Sequence, residues 1–306
     1  MATKTKTKNT TSDERREARK ALATELQAGI TEQVDALRQT ERWHQFLTFA
    51  ASFHQYSLHN VLLILRQMPL ATQVAGFRKW QSLGRQVRKG EKAIRIFGYA
   101  TKKIDTTDEA GPTTTENDEV RRVYYPILSV FDMSQTDAIE GAEQPPQIAV
   151  PLTGEDEPGL YQATEAFITA QGWTISIEAI QGGANGYATH DGTKQIVISQ
   201  TLEPAARAKT LLHETAHALL HSEMTHEQRE TQGRNAREIE AESVAYIVAG
   251  AFGFDTSTYS IDYLTSWAGA DTQIIRDTAS RVLTAAHQII EALASNAEEN
   301  TQKHAN

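Results

Sequence analysis

The chain has no cysteine. That excludes a disulfide framework and a thiolate metal site, and it fits a reducing compartment such as the cytoplasm. A bilayer-length apolar run is missing too. The longest apolar stretch, Val244 to Phe254, is too short to span a membrane. Met1 to Ser12 is rich in Lys and Thr and lacks the apolar core of a secretory signal. No lipidation motif and no internal repeat is present, so no membrane partner is expected.

Acid is nearly missing from one part of the chain. From Arg66 to Lys103 the cations are Arg66, Arg78, Lys79, Arg85, Arg88, Lys89, Lys92, Arg95, Lys102 and Lys103, and the single acid is Glu91. The net charge of −9 argues by itself against a general nucleic-acid binder. The uneven distribution reverses that conclusion, because unbalanced like charge points to a polyanionic partner.

What is there divides into two halves. A chain of 306 residues holds two ordinary domains. Residues 1–11 read as disordered. Leu22, Leu26, Ile30, Val34 and Leu37 recur at helical spacing and predict one long amphipathic helix. Trp43, Phe46, Leu47, Phe49 and Phe53 mark a second helix. Val61 to Leu65 mark a third, ended by Pro69. Ala93 to Thr101 reads as a strand and Val120 to Phe131 as its partner. The acidic, Thr-rich stretch 105–119 between them reads as a mobile hairpin insertion. Gln144 to Glu157 is rich in Pro, Gly and acid, and reads as a linker. Beyond it come a helix near Leu160 to Gln171 and strands at Trp173 to Ile180, Gly186 to His190 and Gln195 to Gln200. Two helices follow, then a last one from Thr272 to about Ala294. The expected class is α+β in two domains: 1–145, a linker at 146–157, and 158–306.

The motif that carries chemistry is His213-Glu214-Thr215-Ala216-His217. It sits in a run of strong helix formers behind Pro204. Histidines four apart lie on one helix face, so both imidazoles reach one cation, with the carboxylate beside it. A third protein ligand must come from elsewhere. After Gly233, Asn235 and Glu238 suggest a capping box opening another helix. Glu238 and Glu242 share a face of it, whereas Glu240 points away by about 200°. One of the pair would bind metal and the other would hydrogen-bond a ligand histidine; spacing does not choose between them. His221, four residues after His217, reads as helix surface or as a neighbour of a ligand. The strand Ile196-Val197-Ile198 is the candidate edge for a peptide substrate.

His213-Glu214-x-x-His217 followed by Glu238-Ile-Glu-Ala-Glu242-x-Val-Ala245 resembles the gluzincin-type metallopeptidases. It is most similar to the domain shared by ArdC antirestriction proteins and ImmA/IrrE peptidases. The resemblance implies metal held by His213, His217 and Glu238, with Glu242 bonded to a ligand histidine. Asp or Asn is common at that last position, so Glu242 departs mildly. Glu214 is then the catalytic base that takes a proton from the attacking water. Two imidazoles and one carboxylate suit Zn²⁺; Mn²⁺ or another divalent ion fits such a set as well.

In the first half the cations interleave with aromatics: Phe77 and Trp80, Phe97 and Tyr99, Tyr124 and Tyr125. Single-stranded nucleic acid needs both, cations for phosphates and aromatic faces for unpaired bases. Several short patterns add to this. They are Tyr56-Ser57-x-x-Asn60, Gln67-x-Pro69, Ala71-Thr72, Val74-Ala75-Gly76-Phe77-x-x-Trp80, Leu83-Gly84-Arg85-x-Val87-x-Lys89-Gly90-Glu91-Lys92 and Phe131-Asp132-x-Ser134-Gln135-Thr136. Together they resemble the N-terminal single-stranded-DNA-binding domain of ArdC antirestriction proteins. Ala93 departs from it, where Gly is usual. The candidate DNA-binding residues are Tyr56, Asn60, Arg78, Lys79, Trp80, Arg85, Arg88, Lys89, Lys92, Phe97 and Tyr99.

Both halves fit one family in the expected order. The implied function is a plasmid- or phage-type antirestriction protein that binds single-stranded DNA and carries a zinc-dependent peptidase domain acting on an unidentified peptide. Two other readings remain. One is a regulatory peptidase of ImmA/IrrE type that cleaves a repressor. The other is a DNA-binding module whose metal site is structural or vestigial.

Overall fold

The computed structural model describes residues 12–103, 112–116, 119–142, 157–254, 256 and 271–304. The stretch 1–11, the linker up to residue 156, and residues 105–111 and 117–118 of the expected insertion lie outside the described residues. Helices α1 (Ser12–Ala36), α2 (Thr40–Phe53) and α3 (Leu58–Gln67) open the chain. Strand β1 (Val74–Gly76), helix α4 (Phe77–Ser82) and strands β2 (Arg85–Val87), β3 (Ile94–Phe97) and β4 (Ala100–Lys103) follow. Next come β5 (Thr113–Glu116), β6 (Glu119–Tyr124), β7 (Ile127–Asp132), a short 3₁₀ turn at Met133–Gln135 and β8 (Thr136–Ala138). The rest is α5 (Glu157–Ala170), β9 (Thr174–Glu178), β10 (Gly186–Ala188), β11 (Gln195–Ser199), α6 (Pro204–His221), α7 (His226–Gln232), α8 (Arg234–Ala251) and α9 (Thr272–His304).

These elements form two compact units that do not meet at a single cut. One takes Met1–Gln33 and Leu62–Gln144; the other takes Val34–Val61 and Pro145–Asn306. The expected division near 145–158 therefore misses an excursion: α2 packs in the second unit. Its aromatic face explains why. Trp43, Phe46, Phe49 and Phe53 are buried. The Trp43 indole N–H donates to Ser243 Oγ on α8 at 3.0 Å. Helix α2 thus braces α8, and Gly250 of α8 lets Ala51 come close, within 3.4 Å of where a Cβ would stand.

The first unit is built on short antiparallel sheets. Strand β7 pairs with β1 on one side and β3 on the other. Strand β2 pairs with β8, and β6 lies between β4 and β5. Val74, Val87, Ile94, Ile96 and Val130 fill the core. Trp80 belongs to that core. It is fully buried, and its indole N–H donates to the Phe131 carbonyl at 2.8 Å. The expectation that Trp80 stacks on a base is therefore corrected: α4 places its indole under the sheet, where burial of so large a ring is most favourable. Asp132 is buried and accepts from Thr72 N, Gln73 N and Ser134 N, tying β1 to β7. The Phe131-to-Thr136 pattern is thus a structural clamp.

In the second unit β11 lies between β10, antiparallel, and β9, parallel. This overturns Ile196-Val197-Ile198 as the free edge. All three are buried, and a continuous apolar run marks a strand covered on both faces. Among the described residues the edge strands are β9 and β10, and it is β10 that packs against α6. Helices α6, α8 and α9 pack on one another beyond the sheet. Gly233 takes a left-handed φ of 77° and starts α8 with no side-chain cap. The expected Asn235–Glu238 capping box is not formed, because Glu238 turns toward the histidines. The box that does form, Thr225 with Gln228, opens α7. Among the described residues no helix is long and apolar enough to cross a membrane.

Candidate metal centre

Helix α6 forms because Ala and Leu dominate its sequence and Pro204 sits in its first turn, where a missing N–H costs nothing. One turn separates His213 from His217, and their Nε2 atoms face each other at 3.1 Å. Glu238, from α8, brings a carboxylate oxygen 3.3 Å from His213 Nε2 and 3.6 Å from His217 Nε2. Among the described residues these three form the one group arranged to hold a metal ion, with their ligand atoms all within 4.8 Å of one another. Two imidazole nitrogens and a carboxylate oxygen converging on one point leave further positions open to water or substrate, which suits a divalent cation.

The outer nitrogens are held as well. His213 Nδ1 lies 3.0 Å from Glu242, which also meets Lys209 Nζ at 3.5 Å. His213 Nδ1–H donating to Glu242 leaves Nε2 free to face the centre. His217 Nδ1 lies 2.9 Å from His221 Nδ1, and His221 Nε2 lies 2.8 Å from Glu240. Glu240 is fully buried and also accepts from Gln232 Nε2 at 2.7 Å and from the Arg281 guanidinium of α9. The tautomers that close this chain put a proton on His217 Nδ1 and on His221 Nε2. Sequence reasoning missed it. His221 is buried and bonds to His217, so of its two readings the neighbour of a ligand holds and helix surface does not; its onward link to Glu240 was not foreseen. Glu240 does point away from the centre, but it anchors the second line of support. The available signal was that Glu240 shares a helix face with Val244 and Ile247, an apolar stripe on which a carboxylate survives burial only when paired.

Burial and charge set the protonation of the group. Burial alone pushes His213 down, but the Glu238 and Glu242 carboxylates outweigh it and raise it to about 10. Burial lowers His217 to about 4, with the neighbouring His213 adding to the effect. Two facing imidazole nitrogens hold one proton between them, and His213 keeps it. Glu238 is held well below the usual carboxylate range by its bonds to both histidines. Burial pushes Glu214 up to about 7; His213 opposes this and Glu238 adds to it.

The centre lies in a cleft of about 570 Å³ bordered by β10. The Ala188 N–H of that strand bonds to the Glu214 carboxylate. Gly186 makes the approach possible. A Cβ there would stand 2.8 Å from Thr210 Cγ2, 2.9 Å from Val197 O and 3.3 Å from Glu214 Cγ. Basic side chains rim the cleft at His190, Lys209, Arg234 and Arg237.

The residues expected to touch DNA are divided between the two units. Tyr56 and Asn60 fall in the second unit. Arg78, Lys79, Lys89 and Lys92 are exposed in the first. Arg85 donates to Thr136 Oγ1 at 2.7 Å, and Arg88 pairs with Glu91 and Asp137. Both therefore hold the β2–β8 corner together. Phe97 is half-buried and Tyr99 is exposed.

A helix pair that brings two histidines and a glutamate together beside a small sheet makes up the second unit, and short antiparallel sheets make up the first. Two family models match the chain. The N-terminal domain of anti-restriction factor ArdC matches residues 12–131, and the IrrE N-terminal-like domain matches residues 170–276. The chain thus combines an ArdC N-terminal-type domain with an IrrE-like domain, in that order. It is 28% identical over 254 residues to the uncharacterized protein pXO2-81 of Bacillus anthracis, covering 73% of this chain and 42% of that protein. It is 27% identical over 144 residues to the uncharacterized protein y4eC of Sinorhizobium fredii, covering 46% of this chain and 43% of that protein. The chain thus spans less than half the length of these curated relatives. Crystal structures of the antirestriction ArdC protein from the R388 plasmid are also similar. The metal-free form has a TM-score of 0.44 at 20% identity, covering 78% of this chain and 85% of that one. The Mn(II)-bound form has a TM-score of 0.42 at 19% identity, covering 77% and 88%.

Proposed function

We propose that this is an antirestriction protein with two activities: single-stranded-DNA binding by the first unit and metal-dependent peptide hydrolysis by the second. The observation that carries the peptidase reading is the convergence of His213, His217 and Glu238 beside Glu214, in a cleft edged by β10. His213 and His217 with Glu238 would hold the cation, Zn²⁺ by donor type and Mn²⁺ as the alternative. The cation supplies Lewis-acid chemistry, polarising a carbonyl and favouring loss of a proton from water. Glu214, with a carboxyl near neutrality, takes that proton and returns it to the leaving amine. Glu242 and His221 fix the ring orientations of the two histidines. The free edge of β10 would receive the peptide as an added strand, as antiparallel or parallel pairing allows.

The DNA reading is supported by the match of residues 12–131 to the ArdC N-terminal domain and by the local excess of cations. Arg78, Lys79, Lys89 and Lys92 are exposed and suited to phosphate. Protection of incoming plasmid or phage DNA would follow from coating it as single strand. A regulatory peptidase that cleaves a repressor is the second reading, favoured by the IrrE-like match. The experiment that tests the proposal pairs metal analysis with salt-dependent binding to single- and double-stranded oligonucleotides. Metal content near one equivalent that disappears in His213→Ala, together with preference for single strand, supports it. Metal that persists in that variant, or equal binding to duplex, refutes the corresponding half.

A further inference from the structure

Strands β3 and β4 pair with β7 and β6 in one unbroken register. Ile94 faces Val130, Phe97 faces Ile127, Ala100 faces Tyr124 and Lys103 faces Arg121. Between the two pairings Gly98 N–H donates to the Pro126 carbonyl at 2.7 Å, so the ladder continues through the gap. The result is one continuous β3–β4/β6–β7 ladder, with β1 added beside β7 and β5 beside β6. Tyr99 and Tyr125 face each other across it, their rings edge to face at 6.2 Å.

Alternation along such a ladder separates its two faces. One face buries Ile94, Ile96 and Val130 in the core. The other carries, in cross-strand pairs, Arg95 with Ser129, Phe97 with Ile127, Tyr99 with Tyr125, Thr101 with Val123, and Lys103 with Arg121. Two bonds across this face fit the assignment: Arg95 to Ser129 Oγ, and Arg121 Nε to Thr101 Oγ1 at 3.0 Å. Tyr99 is 65% exposed and Tyr125 59%. The ten positions hold three cations and no acid. Lys103 and Arg121 stand directly opposite each other at the end of this face. From Arg95 to Lys103 the face is about 26 Å long.

We propose that this face, centred on Tyr99 and Tyr125 and flanked by Arg95, Lys103 and Arg121, is the stacking platform for single-stranded DNA. It rests on the single-strand reading above and assigns that reading a place. Exposed aromatic rings between cations match the needs of unpaired bases on a phosphate chain. The platform also takes over the stacking role for which Trp80, buried in the core, is unsuited.

The test uses the full chain and fluorescein-labelled oligo-dT. Tyr99→Ala combined with Tyr125→Ala should weaken binding about tenfold or more at every salt concentration, while Tyr99→Phe with Tyr125→Phe keeps it. Arg95→Gln with Lys103→Gln should flatten the log–log salt dependence by roughly one unit. In Tyr99→Trp, oligo-dT should quench the new indole emission beyond any change in the unsubstituted protein. Both readouts leave the fold in place, since the tyrosines are exposed. If the unsubstituted protein binds and the double Ala variant binds within about twofold of it, or the indole emission of Tyr99→Trp is unmoved, the platform is wrong while single-strand binding stands. If the unsubstituted protein does not bind oligo-dT, both fall.

Discussion

Glu240→Gln is the sharpest perturbation of the second unit. The carboxylate sits fully buried and accepts from four donors: His221 Nε2, Gln232 Nε2, and Nε and Nη2 of Arg281. Glutamine has the same shape but one acceptor oxygen, which can satisfy two of them. Its amide N–H₂ must then face donors. Two charge-assisted bonds are lost, each contributing about 1.5 kcal/mol or more, so the direct loss is about 3 kcal/mol. The Arg281 side chain is 45% exposed, and water will recover part of its share. The expected cost is therefore about 2–3 kcal/mol, below the range for a fully buried pair. The assay is urea unfolding of metal-free protein followed by far-ultraviolet circular dichroism, which weights the helix-rich second unit. In an Arg281→Met background the same change should cost about 1 kcal/mol less, because the two residues are coupled. A cost under about 0.5 kcal/mol, or strict additivity with Arg281→Met, would refute the network as a source of stability. Metal affinity should fall about tenfold as His221 loosens its hold on His217.

Other outcomes follow from the same geometry. Glu238→Ala should empty the metal site, while Glu242→Ala should weaken it by about ten- to a hundredfold; the reverse order, read by metal analysis, would exchange their roles. Glu214→Gln should keep metal and stability and remove peptidase activity, and loss of metal would contradict its part as base. With His213 raised to about 10, cation binding at pH 7 must displace its proton. Calorimetry in buffers of different ionisation enthalpy should show at least about one proton released, with affinity rising with pH below 10, and affinity independent of pH would exclude this. Trp80→Ala should destabilise the first unit by about 3–5 kcal/mol, and an unchanged melting profile would contradict its place in the core.

Much of this protein was legible because it is local. His213, Glu214 and His217 lie within one helical turn, so residue spacing alone sets their shared face. The long helices announced themselves by periodicity, and the β3–β4 and β6–β7 ladder by paired runs of strand formers. Two short helices, α4 and α7, were too brief to show a period. Glu240 looked idle because two of its partners are distant in sequence: His221 lies 19 residues away and Arg281 41.

The sequence by itself determined the His-Glu-x-x-His motif and its helix, the order of the two halves and the concentration of cations in the first. Only the tertiary structure decided that Glu238 meets the Nε2 atoms while Glu242 meets Nδ1. It also decided that β11 is central and β10 an edge strand, that α2 joins the second unit, and that Trp80 is core while Tyr99 and Tyr125 face solvent. The physical reason is the same in each case. Helical spacing and charge content depend on neighbours a few residues apart, whereas which oxygen faces which nitrogen, and which ring escapes burial, depend on how distant apolar faces find the packing that excludes water.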